Sequence, residues 1–201
     1  PKLAELNHAR FQKWSTPFTW KNATPAVFLF NGEAYRGLDA RSLEPADLQF
    51  AQHHLRILSG LYGVLRPLDL IQPYRLEMGT SLPVARKKNL YAYWGDHISL
   101  ALKADLASGP KVIVNLASTE YFKAVRSTII GARIITPVFK DRTAGGYKVV
   151  MVYAKQQRGS MARYIMQNRI LEPEKLKVYD GDGYHYSKAD SSSDEFVFLR
   201  G

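Results

Sequence analysis

Hydrophobic and polar residues follow two spacings along this chain, one typical of helices and one typical of strands. Apolar residues at helical spacing predict helices over residues 1–14, 45–59, 90–107 and 155–169. Continuous apolar or β-branched runs predict strands over residues 26–30, 111–117, 132–139, 147–154, 184–186 and 195–199. The last four strands form two predicted hairpins. Because helices and strands do not alternate strictly, we predict an α+β fold, a single mixed domain over residues 1–201 with a central sheet flanked by helices.

The segment 58–79 combines features of a loop with features of a core element. Gly60 and Gly63 permit a positive φ or the close approach of another backbone. Pro67 and Pro73 fix their own φ angles and restrict the residues that precede them. The leucines between these residues favour burial. The segment is therefore either a structural crossover or a rigid loop that carries a site.

A second candidate region follows the predicted strand 111–117, because the chain continues there directly into a predicted helix. Ser118 is a good N-cap, and Glu120 suits the positive end of that helix. The carboxyl end of a strand is also where α/β proteins place their sites. The polar side chains at this turn are Asn115, Ser118, Glu120, Tyr121 and Lys123. A capped helix alone explains Ser118 and Glu120, and the turn has no glycine-rich phosphate loop.

The chain is basic, with 28 Lys and Arg against 18 Asp and Glu, a net charge of +10 and a pI near 9.7. Such an excess favours polyanionic partners such as nucleic acid. It is densest over residues 140–169, where seven Lys or Arg accompany one acid, Asp141. Four of these cations fall within one arc of the predicted helix: Lys155, Arg158, Arg163 and Arg169. The arc is either a solvated helix face or an anion-binding face.

Several classes of chemistry have no support in the sequence. The chain has no cysteine, which excludes disulfides and thiolate metal sites. Its five histidines show no metal-binding spacing, so we predict no metal and no cofactor. No serine lies in the sequence context of a nucleophile elbow, so no motif in the sequence supports an enzymatic activity. No apolar run is long enough to predict a membrane span.

Five segments carry a more specific signature. They are LSGLYGVLRPLDLIQPYRLEMG (58–79), LYAYWGD (90–96), VNLASTEYFKAV (114–125), AKQQRGSMARYI (154–165) and SSSDEFVFLR (191–200). Together they closely resemble the YaaA family of bacterial peroxide-stress proteins, over essentially the whole chain. Members of that family usually begin with a strand and a loop of the type LILISPAKTLD, which is absent from this sequence. We therefore expect that the sequence lacks the natural N-terminal segment.

The resemblance implies a cytoplasmic protein that limits oxidative damage when hydrogen peroxide accumulates, with an indirect effect on intracellular free iron. It also implies a family-specific α+β fold with a basic cleft that binds double-stranded DNA, largely independently of sequence. No membrane and no stable protein partner are expected. We expect the DNA contacts to come from Arg66, Arg75, Lys155, Arg158, Arg163 and Arg169. Residues 60–63 resemble a hairpin that offers backbone N–H groups to phosphate, so the cleft would include Gly60, Tyr62, Gly63 and Tyr74.

A hypothesis of a different class is an enzyme that acts on a nucleotide, a nucleoside or a modified base. Its site would lie between the segment 58–79 and the strand–helix turn 115–123, where polar groups meet beside a constrained loop. The sequence assigns no catalytic residue. Direct iron sequestration ranks below both hypotheses, because the sequence has neither cysteines nor a carboxylate–histidine cluster.

Overall fold

The computed structural model describes residues 2–107 and 109–201. Its α-helices are α1 (Lys2–Gln12), α2 (Ala26–Leu29), α3 (Glu33–Leu38), α4 (Pro45–His54), α5 (Leu90–Trp94), α6 (His97–Asp105), α7 (Thr119–Phe122), α8 (Ser127–Ile130) and α9 (Met151–Gln167). Its strands are β1 (Thr24–Pro25), β2 (Ile57–Ser59), β3 (Gly63–Leu65), β4 (Leu70–Ile71), β5 (Val112–Val114), β6 (Arg133–Thr143), β7 (Gly146–Lys148), β8 (His185–Tyr186) and β9 (Glu195–Arg200). Short 3₁₀ helices cover Ala40–Ser42, Pro173–Val178 and Gly181–Gly183.

The main sheet is mixed and has the strand order β5-β6-β9-β8. β5 and β9 run parallel to β6 on either side of it, and β8 pairs antiparallel with β9. The C-terminal end of β6 extends beyond the other strands of the sheet. It pairs antiparallel with β7, which makes a protruding hairpin. Mixed pairing of this kind, together with helices that do not alternate with strands, confirms the predicted α+β class.

Side chains of β6 alternate between a buried face and a partly exposed face, as the period of two requires. Ile135 and Phe139 are almost fully buried on the first face. There they pack with Phe196 and Phe198 of β9 and with Met161 of α9. The aromatic and aliphatic residues of β6 and β9 therefore form one core between the sheet and α9.

α9 packs against two of the three hydrophobic cores that the described residues form. Ala154 and Met161 contact the sheet core, whereas Ala162 and Met166 contact a second core built from α2, α3 and α4. A third core surrounds Ile98 of α6 and lies away from α9. The helix thus connects the sheet to the N-terminal helices.

α3 and α9 cross at a very small separation, because glycines stand at the crossing point. A Cβ atom at Gly159 would lie 1.7 Å from the carbonyl oxygen of Ala34, and one at Gly37 would lie 2.1 Å from the carbonyl oxygen of Gln156. No side chain fits at either position without separating the helices. This contact fixes the position of α9 relative to the segment 33–41.

Two predicted elements are wrong in type. Residues 26–30 form the short helix α2 rather than a strand, because a short apolar run is equally compatible with a buried helical turn. The helix predicted over 45–59 ends at His54, and residues 57–59 form strand β2. The extended Leu55 ends α4, and Gly60 consequently lies in a hairpin turn instead of at a helix terminus.

Two further predictions are wrong in extent. The helix predicted over 90–107 is divided into α5 and α6, because Gly95 adopts a φ of +50° that a continuing helix cannot accommodate. The second strand of the 132–154 hairpin stops at Lys148, and residues from Met151 onwards belong to α9. Of the helix predicted over 1–14, α1 confirms Lys2–Gln12, and residue 1 lies outside the described residues. The strand near 112 and the C-terminal hairpin are confirmed.

Candidate functional site

The turn of the segment 58–79 connects β2 to β3 and is closed by the side chain of Ser59. The Ser59 hydroxyl accepts hydrogen bonds from the N–H groups of Leu61 and Tyr62, at 3.2 and 2.9 Å. Gly63 has a φ of +75°, and a Cβ there would lie 2.7 Å from the ring of Trp94. The N–H groups of Leu61 and Tyr62, which were expected to face phosphate, therefore already have an acceptor within the protein. Gly63 is needed because a side chain there would collide with the ring of Trp94.

Aromatic side chains hold this turn against the rest of the protein. The ring of Tyr62 stacks on Trp14 with centroids 6.0 Å apart, and Tyr74 packs edge-on against Tyr62 at 5.4 Å. The hydroxyls of Tyr74 and Ser59 share a hydrogen bond of 2.6 Å. Burial raises the pKa of both tyrosines, so their phenols stay protonated at neutral pH.

The structure brings the segment 58–79 together with the strand–helix turn. The carboxylate of Glu120 accepts a hydrogen bond of 2.8 Å from the N–H of Gly79, and its carbonyl accepts one of 2.9 Å from the Tyr91 hydroxyl. Burial, and after it the negative charges of Glu120 and Glu77, raise the pKa of Tyr121 to about 12. Polar groups from the two regions therefore meet at one place.

Other polar residues of the turn have partners within the protein. The amide of Asn115 donates to the Thr136 hydroxyl at 3.3 Å and accepts from the N–H of Ala117 at 3.2 Å. The Lys123 ammonium lies 5.1 Å from the centroid of the Tyr91 ring. These contacts order the connection between β5 and α7.

Ser118 caps α7, as predicted, by accepting the N–H of Tyr121. We expect Ser118→Ala to lower the free energy of unfolding by about 1 kcal/mol, because that donor loses its partner. Urea denaturation of the two proteins gives the difference. Ser118→Asp restores an acceptor at the same position and is expected to recover the loss, whereas an equal loss in both variants would contradict the cap.

Arg66 and Arg75, the two arginines predicted from the segment 58–79, both form ion pairs. Arg66 lies 3.0 Å from a carboxylate oxygen of Asp105, and Arg75 lies 2.9 Å from one of Glu77. Hydrogen bonds from Arg56 and then from Arg66 hold the pKa of Asp105 below its usual range. A neighbouring carboxylate therefore partly neutralises the charge of each arginine.

Arg163 and Arg169 of the predicted DNA-binding set also have structural partners. Arg163 donates to the carbonyls of Leu38 and Asp39 at 3.2 and 2.9 Å, which satisfies the C-terminus of α3. Arg169 lies 2.6 Å from a carboxylate oxygen of the buried Asp47. Their guanidinium groups attach the C-terminal half of α9, and the residues just after it, to the N-terminal helices.

The cations in the first part of the basic segment differ from Arg163 and Arg169, because none of them forms an ion pair with a described residue. They are Lys140, Arg142, Lys148, Lys155 and Arg158. Asp141, the one acid among them, is buried and lies 2.6 Å from Arg200. The positive charge of this segment is therefore not balanced by neighbouring carboxylates.

Arg142, Lys148 and Lys155 are exposed on the β6–β7 hairpin and the first turns of α9. We refer to these three residues as the hairpin surface. Exposed apolar side chains lie between them along the chain: Tyr147, Val149, Met151, Val152 and Tyr153. A surface of unpaired cations interleaved with aromatic rings is typical of nucleic-acid contacts. Sequence reasoning counted Arg142 and Lys148 in the dense basic segment but did not single them out.

A second group of exposed cations was not considered from the sequence. Arg86, Lys87 and Lys88 follow one another in a turn in which Ala85 and Arg86 both have positive φ. No ion pair involves them within the described ranges. The three consecutive basic letters are the signal in the sequence that marks this turn.

Comparison with known proteins identifies the family. The family described as "Peroxide stress protein YaaA" matches residues 1–190. The chain is 53% identical over 201 residues to a UPF0246 protein of Burkholderia lata, covering 98% of this chain and 77% of the relative. It is 56% identical to one of Ralstonia pickettii and 54% identical to one of Aliivibrio fischeri, covering 98% and 99% of this chain and 77% of each relative. The chain belongs to the YaaA peroxide-stress family.

The YaaA family match confirms the resemblance drawn from the five sequence segments, and it supports a role in oxidative stress. The matched residues include the segment 58–79, the strand–helix turn and the hairpin surface. Among the residues that the structure describes, no group of His, Asp or Glu is arranged to hold a metal ion. Nor does any helix in the described part have the length and apolarity needed to cross a membrane.

Proposed function

We propose that this YaaA-family protein acts in peroxide stress by binding double-stranded DNA through phosphate contacts from the hairpin surface. The observation that carries the proposal is the absence of ion-pair partners for Arg142, Lys148 and Lys155 within the described residues. Cations of this kind bind phosphate without first losing an internal carboxylate partner. The resemblance to the family further leads us to propose a cytoplasmic location and an indirect influence on intracellular free iron.

Phosphate contacts alone carry no base information, so binding depends little on DNA sequence. The two-stranded β6–β7 hairpin protrudes from the sheet and has cations on both strands, Arg142 on β6 and Lys148 on β7. Lys155 follows on the adjoining turns of α9. Arg66, Arg75, Arg163 and Arg169 have intramolecular partners, so we assign them a secondary contribution.

The test replaces Arg142, Lys148 and Lys155 by glutamine together. We expect the affinity for a 20-base-pair duplex to fall by at least about tenfold in 0.1 M salt, since three phosphate contacts are lost. Fluorescence anisotropy with labelled duplexes of two unrelated sequences measures the affinity, and both should weaken alike.

The matched control replaces three exposed cations that do have ion-pair partners, Arg36, Arg126 and Lys175, by glutamine. Both triple variants lower the net charge by the same amount. We expect the control to retain most of the affinity. An equal loss in both variants would show that total charge, rather than the hairpin surface, determines binding.

A further inference from the structure

Asn31 and Gly32 connect α2 to α3, and both residues are exposed. Among the asparagines of the chain, Asn31 alone is followed by glycine. Asparagine is a thermolabile residue, and its side chain reacts most readily where a glycine follows, because glycine has no Cβ atom to shield its nitrogen. A Cβ atom placed on Gly32 would have no neighbour within 4 Å, so no surrounding group covers this side of the peptide bond.

The side chain of Asn31 also differs from those of the other asparagines in its contacts. Each of the others forms a hydrogen bond with a main-chain N–H or carbonyl at 3.2 Å or less: Asn7, Asn22, Asn89, Asn115 and Asn168. The Asn31 amide forms no hydrogen bond with any residue that the structure describes. Its side chain is therefore free to rotate toward the main chain, whereas the other five are fixed by their partners.

The main-chain nitrogen of Gly32 is free as well. Its N–H donates no hydrogen bond within the described part of the chain. Gly32 is the N-cap of α3, and it contributes to the helix through its carbonyl, which accepts the N–H of Arg36 at 3.0 Å. An attack by this nitrogen on the Asn31 side chain would therefore break no existing hydrogen bond.

Asn31 lines a cleft between α2, α3 and the 3₁₀ helix Ala40–Ser42, with a volume of about 340 Å³. A water molecule takes up about 30 Å³ in the liquid, so the cleft has room for several. Two arginines and one aspartate also line it: Arg36, Arg41 and Asp39. A carboxylate formed at position 31 would thus be hydrated and would lie in a cleft with more positive than negative side chains.

We propose that Asn31 is a site of spontaneous deamidation in the folded protein. The Gly32 nitrogen attacks Cγ of Asn31, and a cyclic succinimide forms. The bond between Cγ and Nδ2 breaks, and ammonia leaves with the proton that the Gly32 nitrogen gives up. Water then opens the ring at Cγ to give aspartate, or at the main-chain carbonyl carbon to give isoaspartate. The net change consumes one water and releases one ammonia, without oxidation or reduction.

The reaction would leave a permanent charge at the start of α3. The new carboxylate lies one residue before the N-cap, where the positive end of a helix favours negative charge. Isoaspartate also lengthens the main chain by one carbon, while the contact of Gly37 and Gly159 keeps α3 against α9. The residues between α2 and α3 must therefore accommodate the added length. This proposal does not depend on DNA binding by the hairpin surface.

Incubation of the folded protein at mildly alkaline pH and physiological temperature tests the proposal. Trypsin releases residues 22–36 as one peptide, since Lys21 precedes it and Arg36 ends it. Fragmentation in a mass spectrometer assigns the change from amide to acid to Asn31 or to Asn22, and an unincubated sample corrects for the digestion. We expect Asn31 to react at least about tenfold faster than Asn22, and within about threefold of its rate in urea-unfolded protein.

Gly32→Ala should slow the reaction at Asn31 by at least about tenfold, because the added Cβ hinders the attacking nitrogen. Gly109→Ala is the matched control and should leave the rate unchanged, since Gly109 is also exposed and also has room for a Cβ. Circular dichroism confirms that each variant is folded. An Asn31 amide that persists in the folded protein would overturn the proposal, as would an unchanged rate in folded Gly32→Ala.

Discussion

Replacing Gly159 by alanine is expected to lower the free energy of unfolding by about 3 kcal/mol, through overpacking at the crossing of α3 and α9. The added Cβ would stand 1.7 Å from the carbonyl oxygen of Ala34 and 2.6 Å from the backbone nitrogen of Leu38. Both contacts are to backbone atoms, so no side-chain rotation relieves them. Helix propensity alone predicts the opposite sign, a stabilisation of about 1 kcal/mol.

Chemical denaturation followed by circular dichroism measures this change. Gly32→Ala is the control, because nothing lies within 4 Å of a Cβ at Gly32 and its φ of −116° suits any residue. We expect the control to cost less than about 1 kcal/mol. A Gly159→Ala protein as stable as the wild type would contradict the close helix crossing.

Replacing Asp141 by asparagine is the second change expected to have a large effect, about 3 to 5 kcal/mol. The buried carboxylate accepts from the Tyr184 hydroxyl at 2.8 Å and from Arg200 at 2.7 Å. Asparagine preserves the shape but removes the charge, which leaves the Arg200 guanidinium partly buried without its counterion. β6 and β9 are joined at this point, so their pairing should weaken first.

Asp194→Asn is the matched control for Asp141→Asn. Asp194 also pairs with an arginine of the sheet, Arg133, at 3.1 Å, but both side chains are exposed. Exposed pairs contribute less than about 1 kcal/mol. We therefore expect Asp141→Asn to lower the midpoint temperature of thermal unfolding much more than Asp194→Asn does. Equal midpoints in the two variants would contradict the burial of the Asp141 ion pair.

Periodicity predicted most of α9 and of β6, where the pattern was long and regular. The 17 residues of α9 and the alternation along β6 have enough positions to distinguish the two spacings. Short apolar runs have too few positions to distinguish the helical from the strand spacing. The apolar run 26–30 forms the helix α2, whereas residues 57–59, predicted as the end of a helix, form the strand β2. Tertiary contacts decide these cases, and they are not visible in a local pattern.

The candidate site was predicted in part. The sequence pattern predicted that the segment 58–79 approaches the turn 115–123, and the contact between Gly79 and Glu120 joins these two regions. Which cations are free could not be predicted, because an ion pair such as that of Arg169 and Asp47 joins residues far apart in the chain. An enzymatic activity at this place stays a prediction.

The measurement that tests the central claim most directly is the salt dependence of duplex binding. We expect log K to fall linearly with log salt concentration for the wild-type protein. Glutamine at Arg142, Lys148 and Lys155 should reduce the magnitude of that slope by about 2.7, since each lost phosphate contact removes about 0.9. The slope should be the same for two unrelated DNA sequences. An unchanged slope in the triple variant would contradict the assignment of the hairpin surface to DNA.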